Sequence, residues 1–253
     1  MSLLRYPGGK SRGALNKLIV GHILRTFTGG VFAEPFFGGG GITISLLKQG
    51  ALTHLVLCEK DSALASLWSD VVNAGTGLKR AIKRFQPSVS AFTRSKARVL
   101  AGKGSGFDAL VVNRLSHGGR GVKAGPQGGY DQDGTYKIGC RWNAAKLVKQ
   151  IESLGQLFSS VDVAIHESYK QAVADYYYMD PPYWGVGDGL YMHNFTASDH
   201  EELFRFLCER RNWLLSYNNH DKVHQLYQDF NIDTTGTSGN GGHKPNSEVL
   251  IYP

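Results

Sequence analysis

The chain has 253 residues, 42% of them apolar and 11% aromatic, and its 28 Lys and Arg against 21 Asp and Glu give a net charge of +7. This composition excludes a disordered or collagen-like chain and describes one large or two small globular domains. No apolar run approaches the ~20 residues that span a bilayer, and the start of the chain lacks the apolar core of a signal peptide.

The first motif in chain order is Tyr6-Pro7-Gly8-Gly9-Lys10, a proline-glycine turn that ends on a cation. A cation there suits a ligand carboxylate. The run Val31-Phe32-Ala33-Glu34-Pro35-Phe36-Phe37 reads as a strand and breaks into Gly38-Gly39-Gly40-Gly41. Residues 42–48 then read as a helix, and His54–Cys58 as a second strand that ends in Glu59. Glycines at such a turn let the backbone pass close to a nucleotide-like ligand, and an acid at the second strand end can hold a ribose diol. The same order of elements fits an NAD enzyme.

Residues 71–150 change character, with 15 basic and 3 acidic side chains for a net of +12, so the remaining 173 residues carry −5. No acid occurs from Val71 to Phe107, where Lys79, Arg80, Lys83 and Arg84 stand at helix-like spacing. A block of one sign on this scale is the footprint of a polyanion partner, and these four side chains suit phosphate contacts. The glycine-rich stretch 119–138 suggests a long hairpin or an ordered loop, and Arg114 and Arg120 lie where an arginine could reach a base edge.

From about residue 160 the α/β pattern returns. Val161–Ile165 reads as a strand, and the aromatic-rich Val173–Met179 as another that delivers Asp180-Pro181-Pro182-Tyr183 at its carboxyl end. A helix over Asp199–Leu207 and strands over Trp213–Tyr217 and Glu248–Tyr252 follow, with 236–242 as a loop. The three cysteines, Cys58, Cys140 and Cys208, are scattered, which points to neither a disulfide framework nor a zinc site. A reducing, cytoplasmic setting without a metal or a membrane is the expectation.

The tetrapeptide suits methyl transfer to an amino nitrogen. The lone pair of an exocyclic aromatic amine is delocalised into its ring, so the nitrogen is a poor nucleophile. The Asp180 carboxylate and the Pro181 carbonyl can accept both N–H bonds and draw the nitrogen toward tetrahedral geometry. Pro181 and Pro182 have fixed φ and hold those acceptors at one angle. Tyr183 offers a face on which a flipped base can stack.

Together these motifs resemble the Dam-like class of adenine-N6 DNA methyltransferases. The resemblance rests on Tyr6 to Lys10, on Glu34-Pro35-Phe36-Phe37-Gly38-Gly39-Gly40, on Glu59, on Asp180 to Tyr183, and on the late Leu215-Ser216 and the closing Glu248-Val249-Leu250-Ile251. It spans most of the chain and is diffuse between 71 and 150. It implies an α/β, Rossmann-like methyltransferase sheet formed by residues 1–70 and 151–253, with a DNA-recognition domain inserted at 71–150. The implied cofactor is S-adenosylmethionine, lined by Tyr6, Lys10, Glu34, Pro35, Phe36, Gly38, Gly40, Glu59 and Asp180. The implied partner is double-stranded DNA, with Asn113-Arg114 resembling the start of the family's DNA-reading hairpin. Two departures stand out: His117-Gly118 replaces a familial Phe-Asn, and Glu167-Ser168-Tyr169 stands where relatives carry Asp-Phe. The rival readings are a cytosine-N4 methyltransferase on the same scaffold, a protein or RNA amine methyltransferase, an NAD oxidoreductase and a non-catalytic DNA-binding module.

Overall fold

Strands with two apolar faces need cover on both sides, and that requirement organises this chain. The structure, a computed structural model, describes residues 3–5, 9–185, 195–235 and 247–253. Among them seven strands form one sheet: β1 (Val31–Glu34), β2 (His54–Cys58), β3 (Asp162–His166), β4 (Tyr176–Met179), β5 (Trp213–Asn218), β6 (Asn231–Thr235) and β7 (Glu248–Tyr252). Their spatial order is 3-2-1-4-5-7-6. The first five are parallel, and β7 runs against both β5 and β6. The fold is therefore α/β with a mostly parallel, Rossmann-like sheet.

Alternate residues of the buried strands feed two cores. Phe32, Leu55 and Tyr178 face a layer made by α1 (Gly13–Thr26), α2 (Gly41–Leu47), α3 (Ser62–Val72) and α7 (Ala144–Phe158). Their neighbours Ala33, Val56 and Met179 face α8 (Ala197–Cys208) and α9 (Asp221–Leu226) on the other side. This two-sided burial is why β1, β2 and β4 read as continuous apolar runs. β6 is polar and half-exposed at the sheet edge, so no apolar signal announces it. Among the described residues no helix is long and apolar enough to cross a membrane.

The basic stretch is helical. It contains α4 (Thr76–Arg84), α5 (Val89–Leu100) and α6 (Gly106–Leu115), and the boundaries at 70/71 and 150/151 fall inside α3 and α7. Val71, Leu78, Ile82, Leu110 and Leu147 belong to the same core as Phe32, so this stretch extends the helical layer of the sheet. A smaller core of Phe92, Val99, Val111, Leu115 and Ile138 joins α5 to α6. Over 117–141 the chain makes short 3-10 turns and one isolated bridge, Ser116–Pro126; it is an ordered loop, without the hairpin.

α3 and α6 cross closely because Gly106 has no side chain. A Cβ there would stand 2.6 Å from the Leu67 backbone, and the Gly106 N–H donates to Ser66 Oγ at 3.1 Å. Gly77 on α4 faces open space instead. Gly106→Ala should therefore lower stability by about 1–3 kcal/mol through overpacking, while Gly77→Ala should raise it by roughly 0.4–1 kcal/mol. Urea midpoints of the two variants check this; equal shifts would contradict the close crossing.

Candidate functional site

Parallel strands bring their carboxyl ends to one edge of the sheet, and a crevice opens where the strand order reverses between β1 and β4. Glu34 ends β1, Glu59 follows β2 and Asp180 follows β4. A cavity of about 530 Å³ lies there, within the range of small-molecule and cofactor sites. It is lined by Lys10, Pro35, Phe36 and the glycine loop, and on its far sides by Glu59, Asp180 and Pro182. Tyr6 lies outside the described residues, as does the loop at 236–242.

The glycine loop is a tight turn pinned at both ends. The Phe37 N–H donates to the Cys58 carbonyl at 3.1 Å, and the Gly40 N–H returns to the Phe37 carbonyl at 2.7 Å. Gly40 has φ of 61°, and a Cβ on it would stand 2.5 Å from the Phe37 ring, so only glycine fits. Trp68 Nε1 donates to the Gly38 carbonyl at 2.9 Å and fixes the loop to α3.

Glu34 and Glu59 look alike in the sequence and behave differently. Glu34 is buried, and its Oε2 accepts the Thr43 N–H at 3.0 Å and the Thr43 hydroxyl at 2.5 Å. It anchors the first turn of α2 behind the loop, and burial pushes its carboxyl up to about 8. Glu59 Oε2 accepts the Gly38 N–H at 3.1 Å, and its Oε1 accepts the Asp61 N–H at 3.0 Å. Burial pushes Glu59 up to about 7. Each oxygen keeps a lone pair beyond these bonds, so Glu59 can still accept from a ligand in the cavity it lines.

The polar centre is an ion pair. Lys10 Nζ donates to Asp180 Oδ1 at 2.6 Å and to the Tyr183 hydroxyl at 2.8 Å, and lies 3.5 Å from Glu248 Oε2. Lys10 is thus engaged by the protein's own carboxylates. Ser216 Oγ donates to the same Asp180 oxygen at 3.0 Å and is within 2.9 Å of the Tyr178 hydroxyl. Asp180 Oδ2 accepts no hydrogen bond among the described residues. Burial, with Asp180 and Glu248 close by, pushes the Tyr183 phenol far above its usual range, so it stays protonated. Asn218 clips the chain after the tetrapeptide: its Oδ1 accepts the Trp184 N–H at 3.0 Å and its Nδ2 donates to the Trp184 carbonyl at 2.9 Å.

Glu248, Ser216 and Asn218 carried no assigned role in the sequence. Ser216 signals itself as a buried hydroxyl in an otherwise apolar strand. Glu248 reaches the site because β7 is antiparallel, which puts its first residue at the carboxyl ends of the other strands. Glu167, Ser168 and Tyr169 line the cavity, where the Phe36 ring packs on Tyr169 and Phe195 with centroids 5.4 and 5.6 Å apart. The Ser168 hydroxyl accepts from the Lys170 N–H at 3.3 Å.

The basic residues divide into three places. Arg120 is exposed and lines the cavity. Arg114 is largely buried; its guanidinium donates to the Leu3 carbonyl, and burial draws it down to about 10. Lys79, Arg80, Lys83 and Arg84 lie on α4, held by buried Leu78 and Ile82, and none forms an ion pair among the described residues. No group of three or more His, Cys, Asp or Glu with metal-holding geometry occurs among the described residues.

The chain matches no protein-family model and no curated protein.

The Glu34 carboxyl generates a pH test. Below about pH 4.5 Glu34 is protonated in both the folded and the unfolded chain. Between about 4.5 and 8 the folded chain keeps a proton that the unfolded chain loses, so this contribution to stability falls as pH rises and levels off above. Glu59 acts with the same sign up to about 7. Glu34→Gln should flatten the decline of the urea midpoint between pH 5 and 8 relative to the parent. An unchanged slope would mean that Glu34 ionises as an ordinary carboxylate.

Proposed function

We propose that the protein transfers a methyl group from S-adenosylmethionine to the N6 amino group of adenine in double-stranded DNA. The observation that carries this reading is the state of Asp180. One of its oxygens is fixed by Lys10 and Ser216, and the other stands without a partner among the described residues, on a residue that lines a cofactor-sized cavity. A carboxylate so held is a preorganised acceptor for an amine.

The cavity fits the cofactor on its own geometry. It is of cofactor size, the glycine turn lines it, and Glu59 offers lone pairs to a ribose diol. When bound, the cofactor supplies an electrophilic sulfonium methyl. Pro35, Phe36 and Gly38 would line it, with Glu34 holding the loop from behind. Asp180 and the Pro181 carbonyl take the two N–H bonds of the target amine and hold its lone pair in line. Tyr183, clipped through Trp184 to Asn218, gives the flipped base a fixed aromatic neighbour. Extrusion of the base costs a few kcal/mol, which phosphate contacts offset.

The basic surface of α4 supports a nucleic acid as the partner, since four cations on one short helix lack internal counter-ions. In this reading Arg120, exposed at the cavity, meets DNA near the flipped base. The sheet also argues against an NAD enzyme. A reversed β7 between β5 and β6 departs from the 3-2-1-4-5-6 order of the dinucleotide fold.

The test is nucleoside mass analysis of DNA treated with protein and cofactor, which should show N6-methyladenine. Asp180→Ala should cut the rate by ~10²-fold or more and leave DNA affinity within several-fold. Neutralising Arg80 and Lys83 should weaken all duplexes alike and lower the slope of log K against log salt by about 0.9 per lost contact. Methylated cytosine in place of adenine, or an Asp180→Ala protein that keeps more than about a tenth of the rate, would overturn this reading.

A further inference from the structure

Glu248 is a half-buried carboxylate to which the methyl-transfer geometry gives no task. It opens β7, and its Oε2 is buried, accepts no hydrogen bond among the described residues and lies 3.5 Å from Lys10 Nζ. Lys10 already has one carboxylate in contact, Asp180 at 2.6 Å. A second carboxylate beside the same ammonium costs desolvation and repels the first. Burial raises the Glu248 carboxyl, Lys10 and the Tyr183 hydroxyl draw it back, and Asp180 raises it again.

A count of charges gives the second carboxylate a use. In the transfer proposed above, the nitrogen lone pair forms the new N–CH3 bond and the S–CH3 electron pair goes to sulfur. One N–H proton then has to leave, with its bonding electrons kept by nitrogen. Asp180 Oδ2, which accepts no hydrogen bond among the described residues, is the carboxylate oxygen open to it. Asp180 and Lys10 alone sum to zero, so taking the proton would leave a net positive charge where Lys10 is only 6% exposed. With Glu248 ionised, the three groups begin at one negative charge and end at zero, the state that a partly buried site favours. The other ionisable groups nearby do not change this count. Tyr178 and Tyr183 are pushed far above the usual phenol range, and Glu34 keeps its proton up to about 8. The partners of Glu248 across the sheet, Asn218 on β5 and Thr235 on β6, carry no charge.

We propose that Glu248 is a positioning residue of the transfer step: by sharing the Lys10 ammonium, it leaves Asp180 with the charge needed to take the amine proton. The inference rests on the methyltransferase reading of the same site. As Asp180 is neutralised, Glu248 becomes the counter-ion of Lys10. The proton leaves to water from the Asp180 side chain, which is 23% exposed, and the cluster regains its negative charge.

The first measurement reads the cluster without turnover. Glutamate carboxyl carbons are labelled with carbon-13, and the Glu248 signal, identified by its loss in Glu248→Gln, is titrated by NMR. Asp180→Asn removes the competing carboxylate and leaves Lys10 to Glu248, so the Glu248 midpoint should move to lower pH. Asp180→Ala makes the same comparison if the asparagine variant does not fold. An unchanged midpoint would show that the two carboxylates do not share Lys10, and would overturn the proposal.

The second measurement is the single-turnover rate at saturating S-adenosylmethionine and DNA. Glu248→Gln keeps the size of the side chain and loses its charge, so the rate should fall about ten-fold or more with both affinities unchanged. Glu248→Asp keeps the charge and should restore several-fold of that loss; a space-filling role would give the reverse order. A parental rate in Glu248→Gln would overturn this proposal and leave the methyltransferase reading standing. Absence of methyl transfer in the parent protein would remove that reading and this proposal together.

Discussion

The site is organised by one ion pair, the buried Lys10 with the half-buried Asp180 at 2.6 Å. Taking both charges out of water is expensive, and such a pair is no better for stability than well-packed apolar groups unless its remaining donors and acceptors are satisfied. Here Lys10 donates to the Tyr183 hydroxyl, Ser216 donates to Asp180 and Glu248 sets a second carboxylate beside Lys10; they come from the chain after β4 and from β5 and β7 on one side of it. Removing Asp180 would leave the buried Lys10 ammonium with only the Glu248 carboxylate, 3.5 Å away. The geometry of the sheet makes the pair possible. Parallel β4 and β5 deliver Asp180 and Ser216 to one edge, and the reversed β7 brings a second carboxylate to the same edge from the opposite direction.

The glycine loop depends on a different kind of constraint. Its turn is too tight for side chains, so the surrounding protein must hold a stretch of backbone that has no side-chain packing of its own. Glu34 does this from behind through Thr43, and Glu59 from the side through the Gly38 amide. Both carboxyls are pushed upward by burial, which makes the loop a place where stability is given up as pH rises. In the proposed function that concession leaves Glu59 poised to accept hydroxyls, and leaves the acceptor edge of the cavity rigid before any ligand arrives.

What could be read in the sequence follows from which elements are buried on both faces. β1, β2, β4, β5 and β7 announce themselves as apolar runs because each is covered on two sides. β6, with Asp233 and its two threonines at the sheet edge, has no such signal. The helix α6 contains Leu110-Val111-Val112, a strand-like triplet, and its helical state is set by the reciprocal cap between Ser105 and Asp108. That cap fixes where α6 starts, and the helix runs on through Asn113 and Arg114 to Leu115. Within the site, residue type together with the family resemblance singles out Lys10, Gly38, Glu59 and Asp180, and the fold brings all four to one cavity. The different partners of Glu34 and Glu59, and the arrival of Glu248, depend on strand direction and on a single threonine. Residue type alone does not encode them.

The central claim is that this crevice is built for a methyl-donating nucleoside cofactor held by Glu59, and calorimetry on the parent protein addresses it without requiring turnover. S-adenosylmethionine should bind one to one, and NAD should not compete. Because a ligand diol donates to an ionised carboxylate, affinity should rise from pH 6 to pH 8 as Glu59, pushed up to about 7, loses its proton. Glu59→Gln should weaken binding and remove that pH dependence. Tight binding of NAD, or S-adenosylmethionine binding that ignores both pH and the Glu59 substitution, would contradict the account.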